Sequence, residues 1–213
     1  MNLSSKDYVE YIKKVSERFQ GCGDYITSLD SATGDGDHWI NINGGFSKLV
    51  TIAEQLENLP VSDMFKSIGM ALMSSVGGSS GVLYGSAYLA AAKATKELTT
   101  IDLQALEEIL EAMLNAIMSR GNVLPNQKTM VDAIYPAVEA LKNALNKQLD
   151  EKTAILDMKK AALEGAEATK EMEAIRGRAS YQSNKGVGHL DPGAVTMSYQ
   201  IETLADYILS KLT

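Results

Sequence analysis

"SIGMALMSSVGGSSGVLYGSAYLAAA", residues 67–92, is the most informative stretch for the fold, because these 26 consecutive residues carry no charge. An uncharged stretch of this length is long enough to span a bilayer as one helix. Eleven of its residues are Gly or Ser, however, and five stand together as GGSSG at 77–81. Glycine clusters of this kind mark turns. The stretch therefore predicts two buried helices that meet at a glycine turn, and no membrane span.

The segments on either side show the periodicity of amphipathic helices. Apolar residues recur at spacings of three and four along the first segment, along 101–120 and after Pro192. No segment shows convincing strand alternation. The pattern predicts an all-α fold of about eight helices, with long loops at 21–40, 120–127 and 177–190. The expected features of single helices are a second helix over about 41–59, a third capped by Ser62, a sixth containing Pro136, a seventh over 151–175 and an eighth capped by Asp191.

Composition narrows the class of protein. The 213 residues are enough for one domain with a large core, so we expect a single domain over 1–213. The formal net charge of −7 argues against binding nucleic acid through its phosphates. With one cysteine, Cys22, there is neither a disulfide framework nor a cysteine zinc site. The polar N-terminus lacks the apolar core of a secretory signal, so we expect a cytoplasmic protein.

Three aspartates stand close together in "LDSATGDGDHWININGG", residues 29–45. Asp30, Asp35 and Asp37 are separated by five and two positions, and glycines at 34 and 36 allow their carboxylates to converge. Such oxygen ligands favour Mg²⁺ or Ca²⁺ over zinc. An EF-hand does not fit, because position twelve counted from Asp30 or Asp35 is not Glu. The pattern indicates a metal site, and the alternative is a solvated acidic loop or helix cap.

Further candidate residues stand near three other points of the chain. His38 adjoins the aspartates, which would favour its protonated form and let it donate to an anion. The GGSSG turn leads into a helix whose N-terminus could bind phosphate, although a tight turn between packed helices is equally simple. In "RGRASYQSNKGVGHLDPGA", residues 176–194, Arg176 and Arg178 could neutralise phosphate. The alternative there is a flexible loop followed by a capped helix.

Taken together, these motifs resemble the DhaL family, the L subunits of bacterial dihydroxyacetone kinase. The resemblance runs from Leu29 to Gly193 through the ordered motifs LD-x₄-D-x-D-H, GGxSG with LYG, RG-x₆-KTM-x-D-x₃-P, GRASY and GHLDPG. It implies an antiparallel eight-helix barrel with a nucleotide at one end. It also implies a phosphotransferase that uses ADP or ATP with two Mg²⁺ ions.

The resemblance assigns roles to individual residues. It implies that Asp30, Asp35 and Asp37 hold the Mg²⁺ ions, and that Arg178 and His38 act in catalysis. The nucleotide contacts that it implies are His38, Trp39, Ile40, Asn41, Gly78, Ser79, Ser80, Gly121, Met130, Arg178, Asp191, Pro192 and Gly193. Among these, Gly121 and Met130 are expected to lie against the adenine.

The resemblance also implies partners that are absent from this chain. A K-type subunit would hold dihydroxyacetone or a related small ketose, and an M-type phosphohistidine subunit of the phosphotransferase system would recharge the nucleotide. Three pairs depart from the family pattern: Trp39-Ile40, Asn126-Gln127 and Gln182-Ser183. The leading hypothesis is a catalytic kinase subunit. The alternative, motivated by Trp39, is a non-catalytic nucleotide-binding or regulatory paralogue of the same fold.

Overall fold

The computed structural model describes residues 1–212, and in them the chain is helical from end to end. Ten α-helices follow one another: α1 (Ser5–Gly21), α2 (Gly23–Thr33), α3 (His38–Thr51), α4 (Ala53–Glu57), α5 (Val61–Ser75), α6 (Gly78–Ala94), α7 (Leu103–Gly121), α8 (Val131–Asn146), α9 (Glu151–Ala168) and α10 (Pro192–Lys211). Two 3₁₀ turns lie at Thr169–Glu171 and Arg178–Tyr181. The part described contains no β-strand, only an isolated bridge between Leu3 and Ile101. The all-α prediction is confirmed.

The predicted count of eight helices is only approximate. The loop expected over 21–40 contains α2, whose buried face is formed by Ile26, Asp30 and Thr33. Two of those three residues are polar, so the face does not read as an apolar stripe. The second predicted helix divides at Ile52 into α3 and α4, and α3 begins at His38 rather than at Asn41.

Other predicted helix ends also shift. The predicted cap Ser62 is wrong, since α5 starts at Val61 and the Ser62 hydroxyl donates instead to the Ala92 carbonyl, 2.7 Å away. The seventh predicted helix ends early, at Ala168, where a 3₁₀ turn follows. The cap of the last helix is confirmed, because the Asp191 carboxylate accepts the Ala194 N–H at 2.7 Å.

Two compact units can be distinguished along the chain, Met1–Gln20 with Asn41–Gly121 and Gly21–Ile40 with Asn122–Thr213. In the first unit, α5 and α6 pack as the hairpin predicted from residues 67–92. A Cβ atom on Gly69 would lie 3.0 Å from the Gly85 carbonyl oxygen, so glycine is needed for this close approach. Within residues 1–212, no helix is long and apolar enough to cross a membrane.

Aromatic pairs fill the core of the first unit. The rings of Phe19 and Phe46 meet edge to face at 5.1 Å, and those of Tyr8 and Phe65 at 4.7 Å. The apolar positions that predicted the first helix, Tyr8, Ile12, Val15 and Phe19, are all buried. Burial of such side chains contributes about 1.5–3 kcal/mol each. The periodicity in the sequence therefore identified the core face of α1 correctly.

The second unit is built on α8, α9 and α10, with α2 against α10. Pro136 lies inside α8 and has no N–H to donate to the Asp132 carbonyl. Gly165 of α9 covers this carbonyl, and a Cβ atom at position 165 would lie 2.7 Å from the Pro136 ring. The absence of a side chain at Gly165 therefore allows α9 to pack over the proline of α8.

Replacing Gly165 by alanine is expected to destabilise the protein by about 2–4 kcal/mol, because the methyl group overlaps the Asp132 carbonyl and forces the two helices apart. Chemical denaturation measures the loss. Gly44→Ala is the matched control, since nothing lies within 4 Å of a Cβ there and alanine favours a helix. Equal stability of the two variants would contradict this account of the packing.

Candidate metal and nucleotide site

The structure brings the three predicted metal ligands together in the second unit. One carboxylate oxygen from each of Asp30, Asp35 and Asp37 can be chosen so that all three lie within 4.8 Å of one another. Asp30 is buried on α2, whereas Asp35 and Asp37 are exposed in the loop that follows. Three convergent carboxylates match the oxygen ligands that Mg²⁺ prefers. The donor set therefore fits the predicted metal.

Glycines shape this loop, as the sequence predicted. Gly36 has φ +78°, a conformation that L side chains rarely adopt. A Cβ atom on Gly34 would overlap the Asp30 carboxylate. The other Asp30 oxygen accepts the backbone N–H of His38 at 3.0 Å, which fixes the loop to the start of α3. The turn at 34–36 thus returns the chain to Asp30.

Arg178 lies against the aspartate cluster. Its Nη2 atom forms an ion pair with the Asp35 carboxylate, and about two thirds of its side chain is exposed. An exposed pair of this kind contributes only about 0–1 kcal/mol. The guanidinium can therefore leave Asp35 at little cost if a divalent cation takes its place. Sequence analysis expected Arg178 near phosphates, and the structure places it beside the predicted metal ligands.

His38 differs from its predicted protonation state. Its Nε2 atom lies 2.9 Å from the Thr196 hydroxyl, which in turn donates to the Pro192 carbonyl at 3.0 Å. Burial lowers the pKa of His38 and outweighs the opposing charges of Asp30 and Asp37. The expectation that the carboxylates favour the protonated form is therefore wrong, and the neutral imidazole, donating from Nε2 to Thr196, satisfies the contacts.

The start of α10 lies beside the start of α8. A Cβ atom on Gly193 would lie 3.7 Å from the Met130 backbone nitrogen, so Met130 and the Asp191–Gly193 segment are neighbours. Pro192 is buried in the first turn, and Met130 is 6% exposed. The second unit therefore groups these predicted nucleotide residues with the aspartates, His38 and Arg178.

Trp39 and Ile40 face different surroundings. The Trp39 indole is half-buried and packs on α2, where a Cβ atom on Gly23 would lie 2.8 Å from the ring. Ile40 is 63% exposed. The Trp39 indole is thus partly covered by α2 rather than fully exposed.

The remaining predicted residues lie in the first unit. Asn41 packs its side chain on the backbone of Gly77, directly before Gly78, Ser79 and Ser80 at the start of α6. Gly78 has φ +64°, and in the part of the chain described no side chain caps this helix. Its first N–H groups are thus available for an anion. Gly121 ends α7, at the same end of the antiparallel α6–α7 hairpin.

Sequence reasoning gave no role to Thr196, which contacts His38, or to Lys128, which is buried close to the start of α10. Thr196 is fully buried on α10, and its hydroxyl makes the usual bond to a carbonyl one turn earlier, so no sequence signal distinguishes it. Lys128 belongs to the KTM motif quoted above and is only 2% exposed. An ionised side chain buried this deeply is rare without paired groups.

Asp191 makes stability depend on pH. Burial raises the pKa of its carboxyl group to about 7, against the opposing effects of the Ala194 N–H and the Lys128 charge. The native carboxyl therefore holds its proton in the range from about pH 4 to 7, where the unfolded chain releases it. As pH rises through this range, the metal-free protein loses stability at up to about 1.4 kcal/mol per pH unit from this group.

Asp191→Asn removes this group's titration, so the variant is expected to gain stability relative to the parent between pH 5 and 8. Urea denaturation in EDTA, at pH 5 and at pH 8, measures the free energy of unfolding of the variant and of the parent. The contributions of all other titrating groups cancel in the difference between the two proteins. An identical difference at the two pH values would show that Asp191 titrates normally.

Comparison with known proteins assigns the family. The DAK2 domain family matches residues 32–206. The chain is 35% identical over 205 residues to the PEP-dependent dihydroxyacetone kinase, ADP-binding subunit DhaL, of Escherichia coli K12, covering 96% of this chain and 98% of that protein. It is 39% identical over 190 residues to the ADP-binding subunit DhaL of PEP-dependent dihydroxyacetone kinase 1 of Listeria innocua, covering 89% and 90%.

A solved structure supports the fold. The dihydroxyacetone kinase from C. freundii in complex with AMP-PNP and Mg²⁺ is similar with a TM-score of 0.73 at 23% identity, covering 93% of this chain and 33% of that one. At that identity the likeness concerns the fold alone. The sequence matches over most of the length of both relatives show that this chain belongs to the DAK2 domain family, and within it to the DhaL proteins.

Proposed function

We propose that this chain is the nucleotide-binding subunit of a dihydroxyacetone kinase and transfers a phosphoryl group from a Mg²⁺-bound nucleotide to dihydroxyacetone or a related small ketose. The observation that carries the proposal is the convergence of Asp30, Asp35 and Asp37 within 4.8 Å. A cluster of three negative charges is costly unless a cation lies among them. The names of the relatives supply the substrate class, since they are ADP-binding subunits of dihydroxyacetone kinases.

The chemistry follows from charge. Phosphoryl transfer needs positioning and charge neutralisation more than covalent participation by the protein. Asp30, Asp35 and Asp37 would hold two Mg²⁺ ions, which would neutralise the phosphate oxygens. Arg178, released from Asp35, would supply a further positive charge at the transferred group. The His38 imidazole would be neutral and held in orientation by Thr196, so it would not act as a cationic donor to the phosphates.

The other predicted residues complete the proposal. We propose a single nucleotide-binding domain over residues 1–213, with the adenine against Gly121 and Met130. The proposed phosphate and nucleotide contacts are His38, Trp39, Ile40, Asn41, Gly78, Ser79, Ser80, Arg178, Asp191, Pro192 and Gly193. For Ser79 and Ser80 the support is the start of α6, whose N–H groups no side chain caps within residues 1–212.

The partners come from the family. We propose that a separate K-type subunit holds the ketose and that an M-type phosphohistidine subunit recharges bound ADP, so that phosphoenolpyruvate is the ultimate donor. The support is the naming of both relatives as PEP-dependent kinases whose DhaL chain is one subunit. Each of these relatives matches this chain over most of its own length.

Reconstitution tests the proposal. The purified chain is combined with the K-type and M-type subunits and the phosphotransferase relay, and formation of dihydroxyacetone phosphate is followed. Product is expected from phosphoenolpyruvate in the presence of catalytic amounts of ADP. Replacing the M-type subunit and relay by ATP tests the direct donor. A chain that binds Mg²⁺ and ADP yet forms no product with either donor would instead be the non-catalytic paralogue.

A further inference from the structure

Lys128 is a buried cation in the loop before α8. It is 2% exposed, and its ammonium donates hydrogen bonds to two backbone carbonyls, those of Thr169 and His189. Burial lowers its pKa, while the charges of Asp191, Glu171 and Asp132 act in the opposite direction. The two backbone carbonyl oxygens thus partly compensate the ammonium for the loss of water.

The two carbonyls mark the two ends of one segment. Thr169 follows the last residue of α9, and His189 lies two residues before the cap of α10. The segment 170–189 leaves at the first point and returns at the second, where the Gly188 N–H also donates to the Lys170 carbonyl at 2.8 Å. Arg178 lies within this segment. One ammonium therefore closes the base of the loop that carries Arg178.

Local geometry holds Lys128 in place. Its φ is +59°, in the region that non-glycine residues rarely occupy, and the Asp132 carboxylate stabilises this turn by accepting the backbone N–H groups of Thr129 and Asn126. Gly186 lies directly on the lysine stem, since a Cβ atom there would be 3.0 Å from Cε. The turn, the stem and the loop are thus packed as one arrangement.

A purely structural role would not require a charge. Burying an ammonium has a desolvation cost, and an apolar side chain of similar length would fill the same space without it. A cation is useful here because it binds two carbonyls that belong to different parts of the chain. Beside it, the Asp191 N–H donates to the Thr169 hydroxyl at 3.0 Å, so the α10 cap is fixed to the same point.

We propose that Lys128 is a positioning residue of the nucleotide site, whose ammonium ties the segment 170–189 at both ends and so directs Arg178 towards the aspartate cluster. This inference rests on the function proposed above. Lys128 acts through the backbone of the loop that it closes, because its ammonium donates to the carbonyls at both ends of that loop.

A double-mutant cycle with Arg178 tests the inference. Lys128→Met keeps the length of the stem and removes the ammonium, and ADP affinity in Mg²⁺ is measured by calorimetry. We expect a loss of at least about 10-fold in the parent and of less than about 3-fold when Arg178 is already alanine, because residues that act as a unit are not additive. Equal losses in the two backgrounds, or no loss in either, would overturn the inference.

The controls separate this inference from the proposed function. Lys185→Met, in the same loop but exposed and paired with Glu173 at 2.7 Å, is expected to bind ADP normally. A parent protein that fails to bind ADP with Mg²⁺ would reject the proposed function instead. If Lys128→Met does not fold, Lys128→Gln, which retains a donor, replaces it. Unfolding of both variants would make Lys128 a structural residue and reject the positioning role.

Discussion

Asp30→Asn is expected to weaken ADP binding in Mg²⁺ by at least about 100-fold, or about 3 kcal/mol. Asparagine still accepts the His38 N–H that Asp30 accepts at 3.0 Å, so the loop can keep its shape. The substitution removes one of the three charges that converge within 4.8 Å. Binding should therefore fall because metal affinity falls, and calorimetric titration of ADP measures it directly.

The control for this variant lies on the same helix. Asp24 is exposed in the first turn of α2, so Asp24→Asn makes the same change of net charge away from the cluster. It should bind ADP as the parent does. In EDTA, Asp30→Asn and the parent should be equally weak. An Asp30→Asn protein that retains parental affinity in Mg²⁺ would remove Asp30 from the set of metal ligands.

Arg178→Ala is expected to reduce phosphoryl transfer by at least about 100-fold, since arginines that stabilise a transferring phosphoryl group contribute effects of this size or larger. The same substitution should change the stability of the metal-free protein by less than about 1 kcal/mol, because the pair with Asp35 is exposed. The reconstituted transfer assay and chemical denaturation give the two numbers.

Arg176→Ala is the matched control, two residues earlier in the same loop. Arg176 is exposed and donates from Nε to the Asn122 carbonyl at 3.3 Å. It should transfer phosphate at close to the parental rate. A large stability loss in Arg178→Ala with little loss of transfer would show that Arg178 serves the loop rather than the reaction.

The sequence predicted the helices whose buried faces are apolar. The stripes that begin at Tyr8 in α1 and at Leu103 in α7 are buried as their spacing indicates. The sequence pattern did not predict α2, because Asp30 and Thr33 occupy two of the three buried positions on that helix. A carboxylate on an inner face has no hydrophobic signature, so the local pattern indicated a loop. Asp30, a proposed metal ligand, is thus also one of the residues that interrupt the apolar pattern of α2.

Convergence of the aspartates could be predicted, but their partners could not. Glycines at 34 and 36 imply a flexible turn, and the turn found here does bring Asp35 and Asp37 back to Asp30. Arg178 meets Asp35 across more than 140 positions of the chain, which no local pattern encodes. The His38 pKa was predicted in the wrong direction because neighbouring charges are visible in a sequence, whereas burial is not.

The structure shows the surroundings of one residue in each of the three pairs that depart from the family pattern. Asn126 adopts φ +67°, a conformation that Asn tolerates better than most side chains. Gln182 donates from Nε2 to the Ala32 carbonyl at 3.0 Å, which ties the Arg178 loop to α2. Trp39 packs on Gly23, and both residues lie outside the aspartate cluster.

The dependence of ADP affinity on free Mg²⁺ tests the central claim, that the three aspartates and a divalent cation together hold the nucleotide. Calorimetric titrations of the purified, nucleotide-free chain are run in EDTA and over a series of Mg²⁺ concentrations. The account predicts no measurable binding in EDTA and an affinity that rises with Mg²⁺ until the metal sites are filled. Equal affinity for ADP with and without Mg²⁺ would contradict it.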